Sequence, residues 1–195
     1  MSNEITVKLN TSIQEFCKIL ENKNFCVSKK YLLNDTYFVP NNLELEKMTC
    51  RDILKQAILI REITNSITNN KVIKLTIKDK QINAEGHILS QSKTECEILD
   101  SKQGQKFLEK LGYISLMNIK ENDIVYKNGN LEIAIKDIEK GDNLLEIETV
   151  ENDSELDTID KIIQKLNSFD FEIDYSNYFV KKAEVELEKI LLKKS

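Results

Sequence analysis

The chain has one histidine, His87, and one proline, Pro40, among 195 residues. A single histidine excludes a metal centre built from several imidazoles and leaves hard cations held by carboxylates. His87 follows Gly86 and reads as a turn residue. The lone proline marks one break: it ends an aromatic and β-branched stretch and is followed by Asn41 and Asn42. The four cysteines, Cys17, Cys26, Cys50 and Cys96, show no C-x-x-C spacing, so they read as reduced thiols of a cytoplasmic protein. No apolar run approaches the roughly 20 residues that cross a bilayer, which argues against a membrane protein. Residues 1–8 alternate in polarity, unlike a secretory signal. A formal net charge of -5 argues against a broad nucleic-acid surface but leaves room for a local basic pocket. There is no internal repeat and no low-complexity linker.

What the chain has is alternation. In the opening stretch Glu4, Thr6 and Lys8 share one face of a strand while Ile5, Val7 and Leu9 share the other. The pattern returns with Lys74, Thr76 and Lys78, then Lys93, Glu95 and Glu97, then Glu146 and Glu148. Several strands therefore offer one apolar face and one face bearing charges of both signs. On an open sheet such a face meets water. On a sheet curled with that face inward it lines a polar tunnel suited to a metal-bound polyanion. Neighbouring carboxylates such as Glu146 and Glu148 repel unless solvent or a cation separates them.

The spacing predicts strands over 3–9, 25–39, 57–63, 71–79, 88–99, 113–127, 131–137 and 144–150. Asn128-Gly129 predicts a two-residue hairpin between antiparallel neighbours. Helices are expected after Ser12, whose pairing with Glu15 makes a capping box, over 49–56, and over 101–111, closed by Gly112. From Glu151 an acidic run leads into a helix with Ile159, Ile162, Ile163 and Leu166 on one stripe. A last helix is expected over about 177–193. The expected class is α+β with a mostly antiparallel sheet. Residues 1–150 form the core and 151–195 a helical segment packed on it, in a single domain over 1–195.

In this order and spacing the motifs resemble the CYTH family of triphosphate tunnel proteins. Glu4-x-Thr6-x-Lys8 is similar to that family's E-x-E-x-K signature, Asp35-Thr36-Tyr37-Phe38 to its D-x-Y-F, and Leu59-Ile60-Arg61 to its R-x-R strand. Leu75 to Lys78 is similar to L-T-x-K, Lys93 to Glu97 to R-x-E-x-E, Lys120 to Asn122 to K-x-R, and Leu145 to Glu148 to the late E-I-E strand. The resemblance implies a roughly eight-stranded antiparallel closed barrel with helices packed outside. It implies phosphate contacts from Lys8, Arg61, Lys78, Lys93 and Lys120. It also implies Mg²⁺ or Mn²⁺ binding by Glu4, Glu146 and Glu148, with Glu95 and Glu97 as additions. The ligand it implies is a triphosphate: inorganic triphosphate, thiamine triphosphate or a nucleotide.

The departures point the other way. Thr6 stands for the middle glutamate of the first motif, Leu59 and Asn122 for arginines, and Lys136 for a late aspartate, where its charge suits phosphate instead. Three functions stay open: a metal-dependent triphosphatase or adenylyl cyclase, a non-catalytic phosphate- or nucleotide-binding module, and a protein-interaction module on a degenerate tunnel. The residue types assign no catalytic group, and they leave the oligomeric state open.

Overall fold

The computed structural model describes residues 4–82 and 88–192. The expected turn at Gly86 and His87 lies outside them. Among the described residues, eight antiparallel strands form one sheet: β1 (Glu4–Lys8), β2 (Cys26–Pro40), β3 (Ile58–Asn65), β4 (Lys71–Ile82), β5 (Ile88–Glu97), β6 (Tyr113–Asn128), β7 (Leu131–Ile138) and β8 (Asn143–Glu148). The order across the sheet is β1-β8-β7-β6-β2-β3-β4-β5. The hairpin at Asn128-Gly129 forms as its sequence dictates: Asn128 pairs with Leu131 and Gly129 takes a φ of 61°.

Among the described residues, five α-helices decorate the sheet: α1 (Ile13–Asn22), α2 (Cys50–Leu54), α3 (Ser101–Lys110), α4 (Ile159–Asn167) and α5 (Lys182–Leu192). The Ser12–Glu15 capping box is present in full at the start of α1. α3 starts from Asp100, whose carboxylate accepts from the Lys102 and Gln103 amides. It stops at Gly112, which takes a φ of 85° that a side chain would resist. Among the described residues, no helix is long and apolar enough to cross a membrane.

The two faces of the sheet bury different things. The outer face of β1, β7 and β8 sends Ile5, Val7, Ile133, Ile135, Leu145 and Ile147 into a core shared with Phe16 and Leu20 of α1 and Ile162 and Leu166 of α4. Each such side chain contributes about 1.5–3 kcal/mol by leaving water. α3 covers a smaller outer cluster of Phe38 and Ile60 through Leu108. The inner face is apolar only at one end, where α2 and α5 bring Ile53 and Leu187 against Tyr37, Leu59, Met117 and Leu144. The rest of it is charged.

The sheet curls, but its described ladders do not close into a ring: β1 pairs with β8, β5 pairs with β4, and no ladder joins β1 to β5. The reason is visible at β1. Its outer edge is taken by the chain's own tail, in which the Thr6 amide donates to the Tyr178 carbonyl and the Val180 amide to the Thr6 carbonyl, both at 2.9 Å. Farther along the same edge, Asn10 donates to Glu172 and Asp174 to Lys8. Phe171 fixes this strap by its edge-to-face contact with Phe16 at 5.0 Å. This corrects the expectation of a helix from about 177: residues 178–180 run alongside β1, and α5 begins only at Lys182. Helical periodicity read the apolar residues correctly but could not see an unpaired strand edge competing for their backbone.

Candidate functional site

Alternation decides which side chains reach the interior. On β1, Glu4 and Thr6 face inward, opposite the core residues Ile5 and Val7. β8 likewise sends Glu146 and Glu148 inward against Leu145 and Ile147. These join Arg61 of β3, Thr76 and Lys78 of β4, Lys93 and Glu95 of β5 and Lys136 of β7 around one cavity of about 230 Å³. Residues 179–184, the strap and the start of α5, complete its wall.

Two charge systems share this space. In the first, one carboxylate oxygen from each of Glu4, Glu146 and Glu148 lies within 4.8 Å of the other two. Register explains the meeting, because Glu4 is the direct partner of Glu148 and Thr6 of Glu146 on the β1–β8 ladder. Burial pushes Glu148 above the usual carboxylate range, and the charges of Glu146 and Glu4 push it further. Three oxygens of this type at this spacing fit a hard divalent cation whose remaining positions go to water or phosphate oxygens. Burial also opposes ionisation of Glu146, but the charges of Lys136, Lys182 and Lys78 prevail and hold it below the usual range.

The second system is a set of cations that already have internal partners. Arg61 forks onto Asp35, with Nε to Oδ1 at 2.7 Å and Nη2 to Oδ2 at 2.5 Å. Asp35 is fully buried; burial alone would raise its pKa, yet the Arg61 hydrogen bonds and charge keep it lowered. Lys182 reaches in from α5 to Glu121 at 2.7 Å and lies 3.7 Å from Asp35. Lys136 stands 3.1 Å from Asp123 and 3.4 Å from Glu146. Lys93 is the more exposed, 3.9 Å from Glu95. The charge of Lys78 acts on both Asp35 and Glu146.

Of the residues singled out in the sequence, Glu4, Arg61, Lys78, Lys93, Glu95, Lys136, Glu146 and Glu148 line the cavity. Lys8, Glu97 and Lys120 do not. Lys8 lies on the inner side but beyond the cavity, where it binds Asp142 at 2.8 Å. Glu97 is exposed past the cavity's end, and Glu95 instead accepts from Lys74 at 3.0 Å. Lys120 lies on the outer surface with Asn34 and Asn122, in a separate groove. On β6 the inward parity belongs to Met117, Ile119, Glu121 and Asp123, so Lys120 and Asn122 point the other way. The arginine missing at Asn122 therefore takes nothing from the interior. Thr6 and Leu59 do stand inside, where they supply no charge.

Among the described residues, Glu121, Asp123 and Lys182 are interior charges that motif reading did not pick out, and Asp35 was quoted in the D-x-Y-F motif without a role. The motif was the signal for Asp35, and a signal existed for Glu121 and Asp123, which share the parity of the buried Met117, Ile119 and Val125. Lys182 had none, since a distant helix delivers it.

No family model matches the chain, and no curated protein matches it by sequence. Solved structures do. The PH1819 protein of Pyrococcus horikoshii superimposes with a TM-score of 0.71 at 17% identity, covering 97% of this chain and 99% of that one. This chain has that fold. A Vibrio parahaemolyticus protein described as an adenylate cyclase candidate matches with a TM-score of 0.63 at 10% identity, over 96% and 97% of the two chains. The Hippeastrum protein HpAC1, described as an adenylyl cyclase candidate with a dominant triphosphatase activity, matches with a TM-score of 0.61 at 16% identity, over 97% and 96%.

Proposed function

We propose that the protein binds a triphosphate-bearing small molecule, inorganic triphosphate or a nucleoside or thiamine triphosphate, together with Mg²⁺ or Mn²⁺ inside the curled sheet. The observation that carries this reading is the single cavity in which the Glu4–Glu146–Glu148 group and the cations Arg61, Lys78 and Lys93 converge. A divalent ion there would offer positive charge to phosphate oxygens, while lysine and arginine donors would hold the remaining ones. The Hippeastrum structure of the same fold, with its triphosphatase activity, agrees with this ligand class.

Binding without turnover is the second reading, and a specific observation favours it. Arg61, Lys136 and Lys182 are held by Asp35, Asp123, Glu146 and Glu121, so fewer donors remain for a transition state whose charge must be met on several oxygens at once. One experiment separates the two. Thermal unfolding with inorganic triphosphate and Mn²⁺ should show stabilisation of about 2.7 kcal/mol at a ligand concentration 100 times Kd. Glu148→Gln should remove most of it. Phosphate release in the same mixture marks an enzyme, and stabilisation without release marks a binding module. No stabilisation and no release at millimolar ligand ends both.

A further inference from the structure

We propose that the Lys136 ammonium is a built-in cation standing in the place of one divalent ion beside the Glu4–Glu146–Glu148 group. The proposal rests on the cation-binding part of the reading above. Lys136 is 9% exposed, on the inner face of β7. Its Nζ donates to Asp123 Oδ2 at 3.1 Å and lies 3.4 Å from Glu146 Oε1. Glu146 is also a member of the carboxylate group. One side chain therefore faces both the ammonium and the place where a metal ion would bind.

The ammonium has little freedom to leave. Asp123 holds it from β6 and Glu146 from β8, on the two strands that flank β7. Two further acceptors reinforce the negative surroundings: Asp123 Oδ1 and Glu121 Oε2 are buried and have no hydrogen-bond partner. A lysine ammonium only donates, so it cannot act as a metal ligand, and its charge repels any ion arriving at Glu146. The group then accepts a single divalent ion, and Lys136 supplies the second positive charge without any metal.

The test uses the full chain and Mn²⁺ alone, with no phosphate, followed by electron paramagnetic resonance of free Mn²⁺ and by calorimetry. The wild type should bind one Mn²⁺ per chain, and Glu148→Gln should abolish that binding. Lys136→Met should bind Mn²⁺ at least tenfold more tightly or take up a second ion. Lys136→Arg, which keeps the charge, should behave as the wild type. If Lys136→Met does not fold, Lys136→Met/Asp123→Asn removes the cation and its buried partner together and is judged by the tighter binding. Unchanged affinity and stoichiometry in the folded variant overturns the proposal, as does a wild type that binds two ions or none. Failure of inorganic triphosphate to bind, with this Mn²⁺ pattern intact, would count against the triphosphate reading alone.

Discussion

The outer and inner faces of β1, β7 and β8 are built from the same backbone and differ in almost every other respect. Outward, Ile5, Val7, Ile133, Ile135, Leu145 and Ile147 fill a core that any well-packed apolar set could fill. Inward, Lys136 pairs with Glu146 while Glu4 and Glu148 crowd it with like charge, so each charge matters to its neighbours. Shape complementarity holds one face together, and charge pairing holds the other. A substitution outside should change stability and leave ligand affinity per folded molecule alone. One inside should alter both, because stability and function there draw on the same ion pairs.

The largest expected effect is inside. Arg61→Ala strands the fully buried Asp35 carboxylate and should cost about 3–5 kcal/mol in urea unfolding. A loss below 1 kcal/mol would mean that Lys182 alone suffices for Asp35. Next comes the outer face: Ile147→Ala should cost roughly 2–4 kcal/mol by the same measurement, with the affinity of the folded protein for Mn²⁺ unchanged. A change in that affinity would break the separation of the two faces.

Asp123 gives a smaller, pH-dependent effect. Burial raises its pKa from 3.8 to about 6 against the opposing pull of Lys136. A carboxyl raised in the folded state stabilises the protein while protonated. Its contribution is therefore full below about pH 4 and is lost as pH rises through about 6. Asp123→Asn should flatten that part of the stability–pH curve, which amounts to roughly 1–3 kcal/mol. Asp35 has the opposite sign: its lowered pKa gives stability that is present at neutral pH and is lost on acidification. The smallest effect belongs to Lys120→Ala on the outer surface, within about 0.5 kcal/mol and with no change in ligand binding. Weaker triphosphate binding in that variant would put Lys120 back in the site.

The sequence made the strands legible because their faces differ so strongly. Residues 4–9 and 144–148 each announce an apolar side and an ionisable one, but the pairing that sets Glu4 opposite Glu148 joins distant strands and is seen only in the fold. β6 was harder. Ile124 and Tyr126 are apolar at one parity while Met117, Ile119 and Val125 are apolar at the other, so the motif at Lys120 could be read on the wrong face. The strap was illegible for a different reason. Hydrophobic spacing around Phe179 and Val180 suits a helix, and only the open edge of a strand some 170 residues earlier draws them into an extended path. Lys182 follows from that path and is lost to sequence reading with it.

The strap also fixes when the cavity can exist. β1 precedes both of its neighbours, β8 and residues 178–180, by most of the described chain. β2, β3 and β6 can pair with one another before those segments exist, while β1 keeps both edges bare until they are made. Contacts of such long sequence separation slow folding. The binding chamber therefore closes only after the strap has been made, and a translation product cut short before Phe171 would carry most of the walls and none of the seal.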